Sequence, residues 1–258
     1  MTHPGINPVI RFYRKGYLMA DALDKLLSPF RAAVDRYEMI KPGDHIAVGL
    51  SGGKDSVALL VLLHRLQRFY PAVFKITAIT ADPCFGGRET DYSPVTALCE
   101  QLGIQHVVRR TRLGEIVFEE LKESNPCSLC ARMRRGILHK MAQELGCNSV
   151  ALGHHKNDAA ETLLMNLFSG GRIGCFAPVT ELTRRELKLI RPLIFIDENK
   201  IASAAARCGL PIVKSGCPVD GHTHRQYIGD LIDELSKQYG SLNDRLVGAL
   251  QKGNISGW

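Results

Sequence analysis

Six residues, Ser51-Gly52-Gly53-Lys54-Asp55-Ser56, constrain this chain more than any other part of it. They stand between a β-branched run from Asp44 to Leu50, bounded by Pro42-Gly43, and an apolar stretch from Val57 to Leu63. The first run reads as a buried strand and the second as a helix packed on a sheet in a large core. A strand that turns through glycines into a helix start leaves backbone N–H groups and a partial positive charge aimed at one point. Gly52 and Gly53 let an anion approach the bare backbone, so the turn is a cradle suited to a polyphosphate. It differs from the Walker A loop, which would need glycine where Val48 stands and Ser or Thr where Asp55 follows Lys54. An acid beside a phosphate is repulsive unless a divalent cation lies between them. That makes Asp55 a Mg²⁺ ligand and Lys54 a phosphate contact. The bland alternative is an ordinary Gly-Gly turn before a core helix.

Strands then alternate with helices. Phe74 to Thr80, Ile104 to Arg109, Asn148 to Leu152 and Leu187 to Leu193 read as further strands, with a helix over Tyr92 to Leu102. This alternation predicts an α/β fold with a doubly wound, mostly parallel sheet, whose ligands bind beyond the carboxyl ends of the strands. Thr80 to Asp82 falls on that rim as an adenine or ribose contact. A second strand-to-helix turn, Gly153-His154-His155-Lys156-Asn157-Asp158, falls there too and reads as the other half of a nucleotide site. Its helix runs from Ala159 to Phe168. Asp158 is the second candidate metal ligand, with His154, His155 and Lys156 near phosphate. The candidate catalytic residues are therefore Lys54, Asp55 and Asp158. Candidate nucleotide binders are Ser51, Gly52, Gly53, Lys54, Asp55, Ser56, Gly153, His154 and His155.

The flanks read as helical. Residues 1–16 form an irregular basic lead-in, and Leu18 to Met39 an amphipathic helix. Later come a helix over Asp197 to Cys208 capped by Asp197, a short strand at Pro211 to Val213, and helices near Thr223 to Tyr239 and Leu242 to Gln251. The 258 residues fit one domain, with a helical flank at 1–40, an α/β core at 41–215 carrying an inserted CxxC segment, and a helical appendage at 216–258. Apolar runs fall well short of the ~20 residues of a membrane span. The basic start lacks the apolar region of a secretory signal, so a cytoplasmic protein is expected. A net charge of +7 suits an anionic partner such as RNA.

Eight cysteines in a reducing compartment point to metal, cluster or redox chemistry rather than structural disulfides. Cys127-x-x-Cys130 is compatible with a zinc half-site, a redox pair or an iron–sulfur half-site, and the residues alone leave these open. Cys217, between Gly216 and Pro218, is a candidate third ligand, with Cys84 and Cys175 as alternatives. From Cys130 to Leu145 the apolar residues Met133, Ile137, Met141 and Leu145 recur every four, which predicts a helix. Arg132, Arg135 and His139 share another face, and its Arg132/Arg135 part is either a solvated face or an RNA-contact patch. Arg134 falls inside the apolar arc, one turn from Cys130, where it either snorkels or pairs with an anion.

Taken together, SGGKDS, PCSLC followed by ARMRRGIL, LGHHKND with ETLLMN after it, IRPL, and a late cysteine followed by RQYIGDL resemble the tRNA 2-thiocytidine synthetases of the TtcA type. These are PP-loop ATP pyrophosphatases with an adenine nucleotide alpha hydrolase-like fold, and the resemblance runs from about Met39 to Leu231. It implies ATP and Mg²⁺ at the first turn, and a [4Fe–4S] cluster held by Cys127, Cys130 and Cys217. It also implies tRNA as the substrate, 2-thiocytidine at position 32 as the product, and Arg132, Arg134 and Arg135 as RNA contacts. The sulfur donor would be a cysteine desulfurase or free sulfide, and a homodimer is compatible. The chain departs from the family at Asn157, where an acid is usual, at Asp220, where a second cysteine is frequent, and over Asp82 to Tyr92. Alternative functions are a cysteine persulfide relay, an amine nucleophile on another base, and a nucleotide-binding module without turnover.

Overall fold

The runs His45–Gly49 and Ser149–Ala151 are short and buried on both faces, which suits a sheet covered by helices on each side. A computed structural model gives the fold for residues 8–121, 126–214, 216–219 and 224–258. Its strands are β1 (His45–Gly49), β2 (Lys75–Asp82), β3 (Gln105–Arg110), β4 (Ser149–Ala151), β5 (Val179–Leu182) and β6 (Leu187–Ile190). Among the described residues they form one sheet in the order β3-β2-β1-β4-β6-β5, parallel except for β5. The helices are α1 (Pro8–Arg36), α2 (Lys54–Gln67), α3 (Ser93–Gln101), α4 (Leu113–Glu115), α5 (Pro126–Glu144), α6 (Lys156–Gly170), α7 (Glu198–Arg207), α8 (His224–Tyr239) and α9 (Leu242–Lys252). The doubly wound, mostly parallel α/β fold is thus the one the alternation predicts.

Alternation along the strands builds two cores. Ile46, Val48, Ala78 and Ala151 face a large cluster with Leu23 and Phe30 of α1, Leu59 and Leu63 of α2 and Ile201 of α7. Ala47, Ile79 and Val150 face the opposite way, onto Met141 and Ala142 of α5. At the amino ends of the strands, buried Asp44 accepts hydrogen bonds from the Lys41 N–H (2.8 Å), Asn148 Nδ2 (2.9 Å) and Lys188 Nζ (3.2 Å). These bonds tie the starts of β1, β4 and β6 together. The sheet reverses direction of growth at β1, which pairs with β2 on one side and β4 on the other. The crevice beyond their carboxyl ends is the natural ligand site.

Several expectations need correction. Helix α1 begins at Pro8, so the lead-in is helical where an irregular segment was expected from residues 8 to 16. The antiparallel edge strand β5 was not expected. It reaches β6 through a tight turn whose left-handed position is filled by Glu186 (φ 52°) rather than by Gly or Asn. Pro211 to Val213 is not a strand, although the Val213 N–H donates to the Gly52 carbonyl (2.9 Å). Asp197 does precede α7, but its carboxylate pairs with Lys156 (3.0 Å) and Lys200 (2.9 Å) instead of capping the helix. The exposed end of α7 is served from afar, since Asn157 Oδ1 accepts the Glu198 N–H (3.0 Å).

His139 does not share a solvent face with Arg132 and Arg135. It is 6% exposed, and its Nε2 is buried without a partner. Burial, then Arg185 and Arg135, push its pKa down from 6.5 to about 4. A histidine held neutral contributes stability that is fully present above about pH 6.5 and is lost as pH falls toward 4, because the unfolded chain takes up the proton first. The difference amounts to on the order of 3 kcal/mol. Thermal melts between pH 7 and 4 should therefore show a falling midpoint, and His139→Gln should flatten that fall. An unchanged slope would contradict the assignment.

Candidate functional site

The turn after β1 is built as a cradle. Gly52 has φ +86°, and a Cβ there would stand 2.7 Å from the Val213 Cβ, so both conformation and space require glycine. The Ser51 and Ser56 hydroxyls meet at 3.1 Å, Ser56 Oγ donates to the Gly53 carbonyl (2.8 Å), and the Gly53 N–H donates to Ser51 Oγ (3.3 Å). Helix α2 begins at Lys54 without a side-chain cap, which leaves its first N–H groups and dipole facing the turn.

Lys54 and Asp55 flank that end. Lys54 Nζ lies 2.7 Å from Glu198 Oε1 and 3.1 Å from Asp55 Oδ2. Burial pushes the ammonium pKa down, but Glu198 and Asp55 more than offset this and raise it, so Lys54 is a cation at any physiological pH. The other oxygen of Asp55, Oδ1, is buried without a hydrogen-bond partner. An unpartnered carboxylate oxygen beside a phosphate cradle suits a hard cation.

The turn after β4 packs directly against this one. A Cβ on Gly153 would meet the Asp55 carbonyl carbon and the Ser56 nitrogen at 3.2 Å, so the two turns touch through glycine. His155 caps α6 in a reciprocal box: Asp158 Oδ2 accepts the His155 N–H (2.9 Å), and His155 Nδ1 accepts the Asp158 N–H (3.4 Å). His155 Nε2 then stands 3.4 Å from Asp158 Oδ2 and 4.0 Å from Asp55 Oδ1. The two candidate acids are thus brought to one place with a histidine between them. Asp158, however, is engaged on both oxygens, because Arg225 Nη1 approaches Oδ1 at 3.4 Å.

The remaining residues of that turn do other work. His154 stacks on Phe176 with ring centroids 5.0 Å apart, and its Nδ1 is buried without a partner. Burial lowers its pKa to about 4. Lys156 is turned away from the cradle, paired with Asp197 (3.0 Å) and Asp244 (2.6 Å). Thr80 and Asp82, expected as adenine or ribose contacts, are also corrected: they are 1% and 0% exposed. Thr80 Oγ1 meets His106 Nε2 at 2.8 Å, and Asp82 accepts bonds from the Cys84 and Thr90 N–H groups.

The cysteines are the other expected part of the site. Cys127 and Cys130 lie in the first turns of α5, one exposed and one buried. Cys130 sits in an apolar cluster with Leu113 and Val117, against Phe85, Phe118 and Met133. Burial pushes its thiol pKa up, Arg134 pulls it down, and Cys217 and Cys127 push it up again. Arg134 Nη2 stands 4.0 Å from Cys130 Sγ, and its Nε is buried without a partner. Arg132 and Arg135 are exposed. Of the alternatives, Cys84 bonds the Asp82 carbonyl (3.9 Å) and Cys175 the Ala159 carbonyl (3.5 Å). Among the described residues, no three His, Cys, Asp or Glu side chains are arranged to hold one metal ion. Ligands of a multi-iron cluster bind separate irons and need no such convergence. Asp220 lies outside the described residues.

Three contributors escape sequence reasoning. Glu198 reaches Lys54 across 144 residues, Arg225 reaches Asp158 and Glu161 (3.0 Å), and Val213 straps the segment before Cys217 to the Gly52 carbonyl. Only Arg225 had a signal, as the first residue of RQYIGDL.

Comparison with known proteins places the chain in a family. The PP-loop domain family matches residues 21–229. A tRNA-cytidine(32) 2-sulfurtransferase of Syntrophotalea carbinolica is 38% identical over 226 residues, covering 86% of each chain. Another of that name from Geobacter sulfurreducens is 36% identical over 234 residues, covering 90% of each. Among solved structures, the U34-tRNA thiolase NcsA from Methanococcus maripaludis with its [4Fe-4S] cluster superposes with a TM-score of 0.71 at 25% identity, over 87% of this chain and 77% of that one.

Proposed function

Since the chain belongs to the tRNA-cytidine(32) 2-sulfurtransferase family of PP-loop proteins, we propose that it is an ATP-dependent tRNA thiolase acting at C2 of cytidine 32. What supports this reading is the presence in one chain of the Gly52 cradle and of the Cys127, Cys130 and Cys217 thiols, the last of which follows closely after Val213, whose N–H donates to the Gly52 carbonyl (2.9 Å). A nucleotide site alone would fit many reactions, and three sulfurs alone would fit many metals. Together they fit activation by ATP followed by sulfur transfer.

The base oxygen is a poor leaving group, so O2 of cytosine is joined to the α-phosphate of ATP and pyrophosphate departs. Sulfide then forms the C–S bond at C2, and the C–O bond breaks to release AMP. The Gly52-Gly53 backbone and Lys54 bind the phosphates and stabilise the charge that develops on them. Lys54 does so by leaving Glu198 and Asp55, which hold it at the cradle. Asp55 would hold the Mg²⁺ ion through its unpartnered Oδ1, and Asp158 would join it by giving up Arg225. The apolar setting of Cys130 and its two neighbouring thiols suits a [4Fe–4S] cluster, which when bound supplies an iron without a protein ligand as a place for sulfide. Arg134, aimed at Cys130, balances negative charge there, and the exposed Arg132 and Arg135 bind the tRNA backbone.

The sulfur donor is a cysteine desulfurase or free sulfide, and the compartment is the cytoplasm. Among the described residues, no helix is long and apolar enough to cross a membrane. Iron and acid-labile sulfide measured on protein purified without oxygen test the reading. About four of each per chain are expected. Zinc, or no metal after reconstitution, would overturn the cluster assignment.

A further inference from the structure

Beside Cys217 lies a cleft of about 630 Å³ that the nucleotide site and the thiols leave without a role. Phe85, Arg88, Phe118, Lys214, Gly216 and Pro218 line it, the last two being the neighbours of Cys217 in the chain. The rings of Phe85 and Phe118 meet edge to face, with centroids 5.7 Å apart and planes at 72°. Both rings also pack on the apolar cluster that contains Cys130, so one aromatic pair backs a ligand thiol and lines the cleft. Each ring is half-buried and keeps surface to offer.

This wall is held in place. Fully buried Asp82 closes the segment from 83 to 90 by accepting the Cys84 N–H (3.2 Å), the Thr90 N–H (2.9 Å) and Thr90 Oγ1 (3.1 Å). The Gly114 N–H donates to the Pro83 carbonyl (2.8 Å), and a Cβ on Gly114 would stand 2.9 Å from the Phe85 Cα. Phe85 is therefore presented on a fixed loop against the helix that begins at Leu113. The cleft combines aromatic ring surface with two cations, Arg88 and Lys214, and two carboxylates, Glu89 and Glu119, of which Glu89 is paired with Arg110 (3.0 Å). A single-stranded nucleotide has the matching parts, a flat base for the rings and phosphates for the cations. The volume falls within the ~300–1,000 Å³ of small-ligand sites.

We propose that this cleft receives the target base of the RNA, turned out of its loop and stacked on the face of Phe118 with Phe85 bracing that ring edge to face, and with Arg88 and Lys214 on the flanking phosphates. The proposal rests on the RNA-thiolation reading and adds to it the residues that place the base beside Cys217. Phe85 and Phe118 are specificity and positioning residues.

An anticodon stem-loop carrying pyrrolocytidine at position 32 tests it, because the emission of that base changes on stacking. The wild-type protein should change the emission on binding. Phe118→Leu, which keeps apolar volume but loses the ring face, should abolish the change and lower kcat/KM for tRNA by about 10- to 100-fold, in line with the loss of one stacked base. Iron content and ATP binding should stay at wild-type values, which separates a lost stacking surface from a misfolded wall. Arg88→Ala should reduce the salt dependence of stem-loop binding. If Phe118→Leu and Phe85→Leu both keep the emission change and a kcat/KM within about twofold of wild type, the cleft is not the base site. If the stem-loop fails to bind the wild-type protein even at low salt, the RNA-thiolation reading falls, and this proposal with it.

Discussion

Asp55→Asn should lower the rate of pyrophosphate release by about 100- to 1,000-fold while leaving the melting temperature within a few degrees of wild type. The substitution keeps the shape of the side chain and removes its charge. In the structure, one oxygen of Asp55 meets Lys54 at 3.1 Å, and the other is buried in the first turn of α2 with no hydrogen-bond partner. A carboxylate in the first turn of α2 gains only about 0.3–1 kcal/mol from the helix dipole, so its loss costs the fold little. It stands where a cation must sit if triphosphate occupies the Gly52 cradle, so its loss costs the reaction much. Glu198→Gln makes an instructive companion, because Glu198 also touches Lys54 (2.7 Å) but comes from the start of α7 rather than from the cradle turn. Pyrophosphate release by that variant should stay within about tenfold of wild type. Equal, large losses in both variants would mean that Asp55 only positions Lys54. A near-normal rate for Asp55→Asn would remove the metal-ligand role.

Cys217→Ala should lose bound iron and reduce thiolation at least 100-fold, while ATP binding persists. Even groups that merely orient metal ligands cost about 10- to 100-fold when removed, so loss of a ligand itself should cost more. The thiol pKa of Cys130 responds to Cys217 and Cys127, which groups these three sulfurs. Cys84 and Cys175 serve as matched controls. Cys84 is held at the Asp82 carbonyl, and Cys175, its pKa pushed up to about 12 by burial, is held at the Ala159 carbonyl. Cys84→Ala and Cys175→Ala should keep iron and activity. If Cys175→Ala lost the iron and Cys217→Ala kept it, the ligand set would be wrong. Iron content is the decisive readout here, since activity alone could fall for other reasons.

The parts of this molecule that could be read from sequence are those written in local pattern. The strand, the glycine turn and the apolar helix around Lys54 are contiguous, and so is the four-residue recurrence that builds α5 behind Cys130. Parallel pairing follows because helices intervene between the strands. Elements set by distant contacts were not legible. Glu198 sits at the start of an ordinary amphipathic helix, and only the sheet order brings it to Lys54. β5 is four residues long, half-polar, and joined to β6 through a turn with Glu186 at the left-handed position, so neither alternation nor a glycine signalled it. His139 has a polar neighbour on each side in the helical pattern of Arg132 and Arg135, yet the chain near Arg185 covers it. The choice of Cys217 over Cys84 and Cys175 came from family resemblance, because spacing alone does not say which loops meet.

The most direct measurement is nucleoside mass spectrometry on an unmodified tRNA bearing cytidine 32, after incubation with the iron-loaded protein, ATP, Mg²⁺ and sulfide under anaerobic conditions. The expected result is 2-thiocytidine at position 32, formed only with ATP and absent with the Cys217→Ala chain. Cytidine 32 left unmodified while ATP is converted to AMP and pyrophosphate, or sulfur found in another nucleoside, would contradict cytidine thiolation as the function of this protein.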